Sequence, residues 1–71
     1  MPEPVITELK KLTDIATDMD LSANLRKDSI KSMGQIGTRE ALLALLDLVA
    51  NEKLNPGERK LALQQAERLI K

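Results

Sequence analysis

Slid along itself by 33 residues, the distance from Leu9 to Leu42, the sequence lays like residues on like. Leu9 falls on Leu42, Leu12 on Leu45, Asp14 on Asp47, Leu21 on Leu54, Arg26 on Arg59 and Lys27 on Lys60. Ile15 meets Leu48, Ala16 meets Val49, Ile30 meets Leu63 and Ile36 meets Leu69. Chance supplies leucine matches in a leucine-rich chain, but it does not readily align both Arg-Lys pairs and the element boundaries as well. A fixed period of this length marks a repeat architecture, in which each unit buries its apolar face only by stacking on its neighbour. The expectation is one domain over residues 1–71, with repeat one at about 5–37 and repeat two at about 38–70.

Within each unit the apolar residues recur at helical spacing, and glycine and proline punctuate the chain at Pro2/Pro4, Gly34/Gly37 and Pro56/Gly57. Four helices are predicted, at about 4–17, 22–36, 38–50 and 55–70, and nothing reads as strand. Pro4 suits a first turn, and Val5, Leu9, Leu12, Ile15 and Ala16 form one stripe behind it. Ser22 caps the second helix, which should turn Leu25, Ser29, Ile30, Met33 and Ile36 inward. Gly37 should close that helix in the left-handed conformation, and Gly34 should let two helices approach closely. Thr38 caps the third helix; Asn55, with Pro56 at the first helical position, opens the fourth. The fold class is thus all-α: two stacked antiparallel helix pairs.

Composition removes many functions. With no cysteine and no histidine, disulfides and the commonest zinc and copper ligands are excluded. With no aromatic residue there is no ring on which a base or flavin can stack. A domain of this length buries only about 60% of the surface its unfolded chain exposes, so packing or association must supply its stability. The longest apolar stretch, residues 41–50, is too short to cross a bilayer and contains Asp47. Residues 1–4 lack the basic region and apolar core of a signal peptide, which makes the cytoplasm the expected location.

Catalytic chemistry finds no foothold. Asp14, Asp18 and Asp20 offer oxygen ligands but lack the glycine and terminal glutamate of a calcium loop, and a solvated helix end and turn is the preferred reading. Gly34 and Gly37 are preceded by no strand and followed by no Gly-Lys-Ser/Thr, so they fail the phosphate-loop test. No enzyme activity, metal or cofactor is expected.

Surface chemistry is more informative. The formal net charge is zero, from 11 basic and 11 acidic residues. It is nevertheless polarised: the first and third helices with their flanking turns sum to about −4, and the second and fourth to about +4. Lys27, Lys31 and Gln35 share a helix face, and their repeat equivalents Lys60, Gln64 and Arg68 should lie alongside. In stacked helix pairs the second helices line the concave, binding side. This basic strip fits an acidic protein surface, with a plain solvated face as the equal alternative and a phosphate backbone as the weaker one. The third helix carries leucines almost all round, and Leu43 and Leu46 replace the polar Lys10 and Thr13 of the first copy. Either the first helix covers them, or they form a contact patch for self-association or a partner helix.

The segment Leu25-Arg26-Lys27-Asp28-Ser29-Ile30-Lys31-Ser32-Met33-Gly34-Gln35-Ile36-Gly37, followed by Glu40-Ala41-Leu42 and Leu45, resembles the HEAT-like repeats named after the phycocyanobilin lyases. The likeness covers most of the chain. It implies a short right-handed α-solenoid used as a protein-binding scaffold, and a turn aspartate, here Asp20, paired with Arg26. The second copy departs from the pattern, with Lys53 at the position of Asp20 and Glu67 at that of Gly34. By the same resemblance Arg59 then lacks a partner, and the second unit reads as a divergent terminal cap. Lyase activity is not implied, and the absence of cysteine, histidine and aromatics argues against an accessory role with tetrapyrroles. The expected function is a non-enzymatic interaction module that binds a protein partner, or a second copy, through the basic strip or the leucine patch; nucleic-acid association through the strip is the alternative.

Overall fold

The computed structural model describes residues 5–70, with side chains from Thr7 onward. Pro4, the expected first-turn proline, and the side chain of Val5 lie outside that description. Four helices follow one another: α1 (Val5–Ala16), α2 (Ala23–Ile36), α3 (Arg39–Val49) and α4 (Pro56–Ile70), and the described residues contain no strand. α1 packs on α2 and α3 on α4, and the two pairs join mainly through α2 and α4. The Cα radius of gyration is 11.2 Å, against about 11 Å for a folded chain of this length. None of the helices is long and apolar enough to cross a membrane.

The helix ends follow from local chemistry. The Ser22 hydroxyl accepts from Leu25 N and the Thr38 hydroxyl from Ala41 N, each side chain satisfying an amide left free by the first helical turn. The Asn55 Oδ1 does the same for Glu58 N at 2.8 Å. Gly37 closes α2 at φ 70°, a left-handed conformation that costs a side-chain-bearing residue steric strain.

The two pairs repeat in atomic detail. In the turn over residues 17–22, Thr17 N bonds Thr13 O, Asp18 N bonds Ile15 O, Leu21 N bonds Asp18 O and Asp20 N bonds Asp18 Oδ1. Thirty-three residues later, Ala50 N bonds Leu46 O, Asn51 N bonds Leu48 O, Leu54 N bonds Asn51 O and Lys53 N bonds Asn51 Oδ1. The same six-residue connection thus reverses the chain twice, although Asp20 and Lys53 have opposite charges: the turn uses the backbone of that position.

The core is formed by Leu9, Ala16, Ile30, Met33, Ala41, Leu45, Leu48, Leu54, Ala62 and Ala66. Most predicted inward positions are buried or half-buried, but two are not. Ile15 is 37% and Leu25 50% exposed. Leu25 stands one register position before Arg26, at the place where the second pair has Glu58; no described element covers that side of α2.

α2 and α4 run side by side in the same direction, because Arg26 meets Glu58 near their starts and Gly34 meets Gln65 two turns further on. A Cβ at residue 34 would overlap the buried Gln65 side-chain amide, so the expected close approach at Gly34 is present and α4 is the helix that makes it.

Candidate binding surfaces

One ion pair joins the two helix pairs. The Arg26 Nε donates to both carboxylate oxygens of Glu58, at 3.1 and 2.9 Å, and a terminal nitrogen of the same guanidinium donates to Leu21 O in the turn. The Glu58 side chain is fully buried and that of Arg26 11% exposed. The expected Asp20–Arg26 pair is therefore replaced. Asp20 stays exposed, its N–H engaged with Asp18, while Glu58 reaches Arg26 from the first turn of α4. Glu58 is favoured there because helix N-termini attract negative charge and because a buried carboxylate requires a well-hydrogen-bonded cation.

Arg59, the repeat counterpart of Arg26, has a different environment. Its Nε donates to Val49 O at 2.8 Å, tying α4 to the last carbonyl of α3, a position where helix polarity favours a cation. Among the described residues no carboxylate lies within ion-pair distance of it.

The six residues of the basic strip behave unequally. Lys31, Gln35, Lys60, Gln64 and Arg68 are exposed on the adjacent α2 and α4, whereas Lys27 is half-buried. Arg68 also donates to Gln65 Oε1 at 3.3 Å. The strip is thus a mostly open polar surface.

Two leucines of α3 lie on the exposed side of that helix. Leu43 is 52% and Leu46 39% exposed, so α1 does not cover them. They are joined in solvent by two α4 residues that sequence reasoning did not single out, Leu63 at 42% and Ile70 at 66%. Between α3 and α4 an open groove is lined by Val49, Pro56, Arg59, Lys60 and Leu63. The signal for this surface lay in the repeat offset. Leu63 aligns with Ile30, which is fully buried, and the described residues leave Leu63 42% exposed.

No group of three or more acidic residues is gathered to hold a metal among the described residues. Comparisons with protein-family models, with curated proteins and with solved structures found no match.

Proposed function

We propose that this chain is a non-enzymatic protein-interaction module, a short solenoid of two HEAT-like repeats, 5–37 and 38–70, working in the cytoplasm. One observation carries the reading: Leu43, Leu46, Leu63 and Ile70 stand in solvent on a single helix pair, and Leu63 lines an open groove there. Clustered exposed apolar side chains on a small domain mark interaction sites. The exposed basic residues Lys31, Lys60 and Arg68 add charge selection for an acidic partner.

The test is the solution mass of the purified chain by light scattering over a concentration series at two salt levels, together with co-purification using wild-type and variant baits. A dimer or a captured partner that persists in salt and is lost in Leu43→Lys/Leu46→Lys supports the leucine surface. Binding lost in moderate salt and in Lys31→Glu/Lys60→Glu shifts the site to the strip, and nucleic acid in that fraction identifies polyanion binding instead. A strict monomer whose three baits capture the same proteins, or none, ends the reading.

A further inference from the structure

We propose that the groove beside Arg59 is the seat of an acidic helix start: a partner helix with a carboxylate in its first turn, received by Arg59, and a cation seven residues later, answering Glu67. This inference rests on the interaction reading above and specifies its ligand.

The first helix pair supplies the template. Thirty-three residues before Val49, Pro56, Arg59, Lys60 and Leu63 stand Ala16, Ala23, Arg26, Lys27 and Ile30. That earlier site is occupied. Ala16 and Ile30 are fully buried, and Arg26 holds Glu58 from the first turn of α4. Seven residues after Glu58, Gln65 packs over Gly34 and completes the seat. In the second pair the arginine and the apolar floor recur, but Leu63 remains 42% exposed and, among the described residues, the Arg59 side chain bonds only the Val49 carbonyl. Arg59 and Lys60 together place positive charge at the groove, which a carboxylate complements.

Glu67 sets the second requirement. It occupies the position of Gly34 and is exposed, so a helix arriving in the register of α4 meets an acid where α4 met a bare backbone. A lysine or arginine at the position of Gln65 offers that acid a charge-assisted hydrogen bond, whereas a glutamine offers only the weaker neutral one.

A second copy stacked in the same sense does not fit. The helix it would bring is α2, whose first turn holds no acid, with Leu25 in place of Glu58 and Ser32 in place of Gln65. Leu25 against Arg59 would remove water from a guanidinium without replacing it by a carboxylate.

The probe is a capped synthetic peptide spanning residues 55–70 with Gln65→Lys, since α4 is the element that fills the earlier seat. It is titrated into the 15N-labelled full chain and followed by amide shifts. Perturbations are expected around Val49, Arg59 and Leu63. Binding should weaken about tenfold with Glu58→Gln in the peptide or Arg59→Gln in the protein, with little further loss when both are present. The peptide variant leaves the protein untouched, so the result stands even if Arg59→Gln impairs folding. No shifts at millimolar peptide, shifts centred on α2 through displacement of the resident α4, or indifference to both substitutions overturns the proposal. If partner binding is lost in Leu43→Lys/Leu46→Lys while the peptide results are negative, the interaction reading stands and the groove assignment alone falls.

Discussion

Arg26 and Glu58, 32 residues apart, form the buried ion pair that links the two helix pairs, and the same guanidinium also secures the turn carbonyl of Leu21. Three segments therefore meet on one side chain: the first turn, α2 and the start of α4.

Removing either partner should be severe. Arg26→Met leaves a carboxylate without its cation in a fully buried position, and such a break costs about 3–5 kcal/mol. That is a large share of the roughly 5–15 kcal/mol available to a folded domain. Urea unfolding of Arg26→Met, Glu58→Leu and the double variant provides the check. The double variant should be much less destabilised than the sum of the singles, and simple additivity would show that the two residues do not act as a pair.

Gly34→Ala sets two effects against each other. Alanine favours the helix interior by about 1 kcal/mol, but its Cβ overlaps the Gln65 amide, and overpacking of a tight site costs about 1–3 kcal/mol. The end of the Gln65 side chain can turn away but its Cβ, 3.1 Å off, is fixed to α4, so the clash wins narrowly and a net loss of about 0.5 kcal/mol is expected. In a Gln65→Ala background the same change should become stabilising, because the overlapping amide is then gone; thermal melts of the four proteins read out the reversal of sign.

Gly37→Ala should destabilise by about 1–2 kcal/mol through backbone strain alone. The new methyl would meet only ordinary contacts, 3.8 Å to Gln35 O and 3.9 Å to Leu69 Cδ2, so crowding is not the cause. Asparagine tolerates the left-handed region better, and Gly37→Asn should lose less. Equal losses for the two variants would point away from φ.

The leucines of α3 should divide by face. Leu45→Ala, at a fully buried position, should cost about 2–5 kcal/mol. Leu43→Lys, at a half-exposed one, should change stability by no more than about 0.5 kcal/mol. Denaturation midpoints of both variants establish whether the leucine surface can be altered without disturbing the fold, on which the binding tests depend.

The helices were legible because their signals are local. Ser22, Thr38 and Asn55 cap where they stand, and Gly37 stops α2 through its own φ. The partner of Arg26 was not legible, because it depends on the register between two helices that are distant in sequence. The turn pattern pointed to the nearby Asp20, whereas the α2–α4 register delivers Glu58, a residue whose sequence signature is only that of a helix start. Leu25 failed for a related reason. Its spacing belongs to the buried stripe, but that side of α2 faces where a preceding neighbour would stand rather than α4. The exposure of Leu43 and Leu46 was one of two alternatives until the placement of α1 was known, and Leu63 escaped notice because its counterpart Ile30 is an ordinary core residue.

The appearance of Glu67 at the position of Gly34 also bears on end-to-end stacking of identical copies. Stacking by one fixed step carries no closure, so a chain whose last face matched its first would add copies end on end into a fibre. Placed at the position of Gly34, the exposed carboxylate of Glu67 makes the outer face of the second pair chemically unlike the face on which α4 rests, so an end-to-end array of identical copies would not reproduce the contact made inside the molecule.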